Sequence, residues 1–176
     1  MENQCSKSAV HQAFHVLLVV LGLILIGAFI FYFNYGKNMA LKILGIVLWI
    51  LSGLLGWLPV YTFKKKGGVA KGEGFVKTTQ LVTTGIYSIV RHPQYLAGML
   101  LGFSFVLISQ HWLVLFLGIP FMAIFYIAAL DEDKSCVEKF GDNYKEYMRK
   151  VPGMNLILGI IKYLFNNILN RFYGTP

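Results

Sequence analysis

An all-α, multi-spanning membrane fold is predicted by three observations. Of the 176 residues 56% are hydrophobic and only 14% charged, and mean hydropathy is +0.60; soluble domains carry about 25% charged residues. Residues 92–130 contain no Asp, Glu, Lys or Arg, and one crossing takes about 20 apolar residues, so this stretch is sized for two. Ser109-Gln110-His111 breaks it midway with polar side chains and supplies the fold point. The length predicts one integral membrane domain, 1–176.

Four transmembrane helices in two hairpins follow in chain order. The first runs roughly 12–34, too long for a signal-peptide core and followed by no convincing small-x-small cleavage pattern, so it reads as a retained span. The second runs roughly 41–62 and ends at Lys64-Lys65-Lys66. These two form an N-terminal hairpin over 12–63. Residues 64–92 form a cytoplasmic loop, irregular from Lys64 to Thr84 because Gly67, Gly68, Gly72 and Gly74 crowd it. A second hairpin, with spans near 93–109 and 111–130, continues into a post-hairpin helix ending at Pro152, so this section covers 93–153. In that helix Val137, Phe140, Tyr144, Tyr147 or Met148, and Val151 recur at three- and four-residue steps as one apolar stripe. Gly141 breaks it and Asp142 caps its continuation. The tail, 154–176, is apolar but carries Lys162, Asn166, Asn167, Asn170 and Arg171, and reads as a helix in the membrane interface rather than a fifth span.

Formal net charge is +8. In a membrane protein, basic excess marks the cytoplasmic side. Lys64, Lys65, Lys66, Lys71, Lys77 and Arg91 precede the second hairpin; Lys134, Lys139, Lys145, Arg149 and Lys150 follow it. Only Lys37 and Lys42 fall on the other side, so both termini are expected in the cytoplasm. No arginine-rich segment interleaved with exposed aromatics is present, which excludes nucleic acid from the expected partners. Cys5 and Cys136 lack metal-type spacing and four scattered histidines make no zinc signature, so neither a metal nor a disulfide is expected. His11, His15 and His111 read as interface residues without a nameable partner.

If the hairpin doubles back at 109–111, Arg91-His92-Pro93 meets Glu132-Asp133 at the membrane lip. Ionisable groups there are costly and usually have a use. Pro93 suits the first helical position, and the helix start offers amide donors and a partial positive charge. With Arg91 and His92 it makes an anion site; the competing reading has Arg91 snorkelling to lipid phosphates and His92 capping. Tyr87 and Tyr95 are either membrane anchors or aromatic faces for an organic cation, worth about 0.5–2 kcal/mol. Glu132 and Asp133 sit badly at a helix C-terminal end, so a positive partner is expected: Arg91, Lys134 or a ligand ammonium.

Leu81 to Gly98 (LVTTGIYSIVRHPQYLAG), an apolar hairpin, the acidic pair and then Phe140 to Pro152 (FGDNYKEYMRKVP) resemble the isoprenylcysteine carboxyl methyltransferase and phospholipid methyltransferase superfamily over about 70 residues. The resemblance implies a multi-span helical enzyme that binds S-adenosylmethionine and methylates membrane-borne, lipophilic or lipidated substrates. It implies cofactor contacts from Thr79, Gln80, Leu81, Val82, Tyr87, His92, Pro93, Gln94, Tyr95 and Glu132, with Asp133 where a second glutamate is common. In this reading Glu132 takes the cofactor ammonium, while His92 and the helix-start amides hold its carboxylate. Tyr87 and Tyr95 line the adenosine and sulfonium, and Arg91 positions the loop or an anionic substrate group. His92 and Glu132 are the nearby candidates for general base. Prenylcysteine enzymes carry an arginine one turn before the acidic pair; Ala128 stands there, which argues against a free prenylcysteine carboxylate. Cys136 replaces a customary leucine and reads as packing. Two other readings compete. Sterol-type reductases share R-H-P-x-Y and use NADPH, but follow it with a glycine and a glutamate where this chain has Leu96-Ala97-Gly98-Met99. A non-catalytic membrane scaffold would need none of Tyr87, His92, Tyr95 or Glu132.

Overall fold

A computed structural model describes residues 2–66 and 80–173, and the side-chain surroundings of 16–62 and 80–168. Among them are six α-helices and no strand: α1 (Glu2–Tyr32), α2 (Met39–Lys66), α3 (Pro93–Ser109), α4 (Trp112–Phe140), α5 (Asp142–Lys150) and α6 (Leu156–Tyr173), with a 3₁₀ turn at Gly85–Ser88. The described residues are therefore all-helical in fold class. Among the described residues two segments are long and apolar enough to cross a membrane, Met39–Thr62 in α2 and Trp112–Phe140 in α4. Shorter apolar stretches are Val16–Tyr32, Pro93–Ser109 and Leu156–Ile168. Large apolar side chains face outward, among them Phe31 (79% exposed), Trp57 (75%) and Phe116 (70%). Soluble monomers do not sustain apolar surface on this scale; an integral membrane protein does.

Three expectations are corrected. Lys64, Lys65 and Lys66 do not open a loop but prolong α2; Gly67, Gly68, Gly72, Gly74 and Thr79 lie outside the described residues. The helix after His111 does not stop near residue 130 but continues to Phe140. Glu132 and Asp133 thus sit about two turns before its end, where the macrodipole no longer opposes them, since that effect fades beyond the last turn. At the next boundary Gly141, with φ +59°, is the N-cap, and Asp142 is the first residue of α5 rather than its cap. There its negative charge suits the helix start, and its carboxylate accepts from Lys145 Nζ at 2.8 Å.

The chain forms two compact units, Met1–Leu51 with Gly98–Tyr126, and Ser52–Ala97 with Ile127–Pro176. The core of the first is Leu25, Phe29, Phe105, Ile108, Val114 and Phe121, with Phe29 and Phe105 stacked at 4.1 Å between ring centroids. The hairpin turn falls where polar residues predicted it. Gln110 adopts φ +53°, its Oε1 accepts from the Asn38 N–H at 3.1 Å, and its Nε2 donates to the Asn38 carbonyl at 2.7 Å. His111 has partners after all: it is 9% exposed, stacks on Tyr32 at 3.6 Å, and its Nδ1 accepts from the Leu113 N–H at 3.1 Å.

The second unit holds the candidate site. Ser52 Oγ donates to the Ala97 carbonyl at 2.7 Å and fastens α2 to the first turn and a half of α3. The predicted stripe is buried as a small core of Tyr144, Tyr147 and Val151, packed by Leu81, Cys136, Val137, Phe140 and Met148. Its period of three and four residues is what places those side chains on one helix face.

Candidate functional site

Asp133 joins the ends of the second hairpin. Its Oδ1 lies 2.7 Å from His92 Nε2 and accepts from Tyr144 Oη at 2.7 Å; its Oδ2 lies 3.2 Å from Arg91 Nη2. A carboxylate only accepts, so the His92 Nε2 carries the proton of that bond. The Arg91 and His92 side chains are 9% and 6% exposed. Arg91 is thus buried and paired, not snorkelling. The neighbouring Glu132 faces elsewhere and accepts a hydrogen bond from Tyr95 Oη. Lys134 pairs with Asp131 instead of the acidic pair, at 3.4 Å.

A strap between α5 and α6 closes the back of this cluster. The Arg91 N–H donates to the Pro152 carbonyl and the His92 N–H to the Gly153 carbonyl, both at 3.0 Å. A Cβ on Gly153 would stand 3.2 Å from Arg91 Nη2, so glycine lets the strap pass the guanidinium. These two amides, which precede α3, are therefore not free to bind a ligand. Gln94 keeps an N–H that first-turn geometry leaves without an intrahelical acceptor.

A cavity of about 130 Å³ opens between these elements. Gln80, Leu81 and Val82 line it from the loop, Tyr87 from the 3₁₀ turn, Arg91 through Tyr95 from the start of α3, Glu132, Cys136 and Phe140 from α4, and Tyr144 and Tyr147 from α5. Every described residue implied by the resemblance is on this wall except Asp133, which stands behind Arg91 and His92. For Cys136, Phe140, Tyr144 and Tyr147, which also line it, the sequence pattern predicts only packing. Their stripe periodicity was visible, but nothing in it told a core face from a cavity wall.

Burial raises the Tyr87 phenol well above the usual tyrosine range, with nearby Tyr147 and Glu132 adding to the effect. Burial does the same for Tyr147 and for Tyr144, whose bond to the Asp133 carboxylate adds to it. All three are protonated donors at neutral pH. Tyr147 Oη donates to the Tyr87 carbonyl at 2.6 Å and fixes the 3₁₀ turn. Two polar atoms stay unsatisfied: Arg91 Nε and Nη1 are buried with no hydrogen-bond partner among the described residues. Leaving such donors unmet costs about 1–3 kcal/mol each, more for a charged group. Arg91 and Glu132 line the same cavity, opposite charges that suit a ligand carrying both an anion and a cation.

A 75-residue stretch, 42% of the chain, is 29% identical to the Delta(14)-sterol reductase TM7SF2 of Mus musculus and spans 18% of that relative's length. No solved structure matches significantly. Residues 40–143 match the phospholipid methyltransferase family. That is more than half of the sequence and includes every described wall of the cavity except Tyr144 and Tyr147, so the chain belongs to the phospholipid methyltransferase family, within the isoprenylcysteine and phospholipid methyltransferase superfamily.

Proposed function

We propose that this chain is an S-adenosylmethionine-dependent methyltransferase acting on a lipophilic acceptor delivered from the membrane, a lipid amine, prenylcysteine carboxylate or thiol. The observation that carries the reading is that Arg91 and Glu132, one cation and one anion, line a single cavity. They match the carboxylate and ammonium of the cofactor's amino-acid end. Arg91 and the Gln94 amide take over the anion-holding role first given to His92, whose Nε2 is committed to Asp133. Tyr87 and Tyr95 offer aromatic faces to a cation. When bound, the cofactor supplies the electrophilic methyl carbon. The protein's part is to hold the acceptor in line, exclude water and, for an amine or thiol acceptor, take up its one proton. Glu132 and His92 are the cavity groups able to accept that proton, because the buried tyrosines hold theirs. At about 130 Å³ the cavity is below the roughly 300 Å³ of ordinary ligand pockets, so a whole nucleoside cofactor requires its walls to part.

The reading puts this cavity, both termini and residues 64–92 on the cytoplasmic side of four spans, α1 to α4, with α6 in the interface. The second reading, an NADPH-dependent reductase, is favoured by the reductase stretch, yet Met99 stands where those enzymes place a glutamate.

Purified protein is incubated with membrane lipid extract and methyl-labelled S-adenosylmethionine, and the labelled product is identified. Label in a lipid product, with thermal stabilisation by S-adenosylhomocysteine and none by NADPH, is expected. Stabilisation by NADPH alone would replace the reading with the reductase. Glu132→Gln and Arg91→Lys should each weaken cofactor binding at least tenfold, since a hydrogen bond to a charged group contributes about 1.5–3 kcal/mol. Lysine keeps the charge toward Asp133 but not the guanidinium donors.

A further inference from the structure

A second cavity, of about 390 Å³, lies between α5, α6 and the loop before α3. It belongs to no role assigned above. Lys150 and Lys162 line it, with Asn143, Asn166, Thr83 and Ser88 supplying polar side chains. Glu146 is its one carboxylate and is already paired with Lys150 at 2.6 Å. Lys162 is half-buried and has no acidic partner among the described residues. The lining therefore carries one uncompensated positive charge.

α6 is inside out by the standard of a soluble protein. Gly159, Lys162, Tyr163 and Asn166 follow i, i+3, i+4 and i+7 spacing and share one face. That face is turned to the protein: Gly159 is buried, and a Cβ on it would lie 2.0 Å from the Ile89 carbonyl oxygen, while the other three line the cavity. The opposite face exposes Ile157 (73%), Ile161, Leu164, Phe165 and Ile168. Polar inward and apolar outward is stable only with hydrocarbon on the outer side.

We propose that this cavity binds the phosphate of a membrane glycerophospholipid, with Lys162 as its principal partner and the acyl chains along the outer face of α6. A phosphate offers several strong acceptor oxygens to an ammonium and to nearby hydroxyl and amide donors. The site adjoins the reaction cavity through Tyr147, which is on the wall of both. It does not depend on the reaction proposed above, because it is read from binding alone.

Thermal unfolding of the full chain in maltoside detergent tests it, titrated with dihexanoyl phosphatidylglycerol, dihexanoylglycerol or inorganic phosphate. A ligand bound only by the folded state raises Tm saturably. Phosphatidylglycerol should do so; the other two should not. Lys162→Gln should weaken the apparent affinity about tenfold, Lys162→Arg should stay near wild type, and Glu146→Gln should bind more tightly because Lys150 is released. Should Lys162→Gln unfold, the arginine and Glu146 variants still read the site. Equal responses from wild type and a folded Lys162→Gln, or from dihexanoylglycerol, would overturn the site. Inorganic phosphate acting as strongly as the lipid would overturn the lipid assignment in favour of a soluble anion.

Discussion

Glu132 and Asp133 are adjacent in sequence and divided in duty. About 100° separates neighbours around a helix, so one carboxylate reaches His92, Tyr144 and Arg91 while the other lines the cavity and meets Tyr95. The division predicts a separation of effects. Asp133→Asn should cost about 3–5 kcal/mol of stability, the usual result of stranding one side of a buried ion pair, whereas Glu132→Gln should leave stability within about 1 kcal/mol while cofactor binding falls. Chemical unfolding in detergent beside calorimetric binding separates the two; similar losses of stability would refute it. Burial of Tyr87, Tyr144 and Tyr147 predicts an alkaline effect as well. Their folded pKa values lie above the unfolded value of about 10. Above that pH the unfolded chain releases protons that the folded chain keeps, so stability is intact below about pH 10 and falls above it, by up to about 1.4 kcal/mol per pH unit for each group. Unfolding midpoints in denaturant from pH 8 to 11 check this, and Tyr144→Phe should flatten the slope. The acidic pair was legible in the sequence as a unit. Which carboxylate faced the guanidinium was not, because that depends on helix phase about its axis, and the expected helix end near residue 130 put the pair in the wrong setting.

At the level of elements, hydropathy and polar breaks sufficed for α2, α3 and the turn at Gln110, since a long uncharged run can end only where backbone or side chains find polar partners. The helical nature of the tail was legible as well, but its docking was not. Two features fasten it, the Pro152-Gly153 strap and the close approach at Gly159, and both pair residues about 60 to 70 positions apart, beyond the reach of local pattern. They give the α6 prediction. Gly159→Ala drives a methyl into the Ile89 backbone, and backbone cannot swing aside as a side chain can. The cost should be about 1–3 kcal/mol, typical of overpacking, with α6 made more accessible to protease. Gly27→Ala, with no heavy atom within 4 Å of its added Cβ, is the control and should stay within about 0.5 kcal/mol of wild type. Comparable losses in both would mean that close packing at Gly159 contributes nothing special.

For the whole molecule, charge distribution and outward apolar surface carry separate information. Exposed residues such as Phe31, Trp57 and Phe116 require hydrocarbon around the helices but do not say which way the chain faces. Orientation rests on Lys and Arg: Lys64 to Lys66, Arg91, Lys145, Arg149 and Lys150 fall in one set of connections, against Lys37 and Lys42 in the other. Retention of positive charge in the cytoplasm follows from the insertion process and acts on connections this short. Within the first unit Asn38 and Gln110 bond to each other, and within the second Arg91 and Asp133 do so. The topology proposed above puts residue 37 and residue 150 on opposite sides of the membrane. Single cysteines placed at Lys37 and at Lys150, in a chain with Cys5 and Cys136 replaced by serine, turn this into a measurement. A membrane-impermeant maleimide should label position 150 only from the cytoplasmic side and position 37 only from the other, in sealed vesicles of each orientation. Labelling of both from one side would refute the three crossings, α2 to α4, that the proposed topology puts between these two positions.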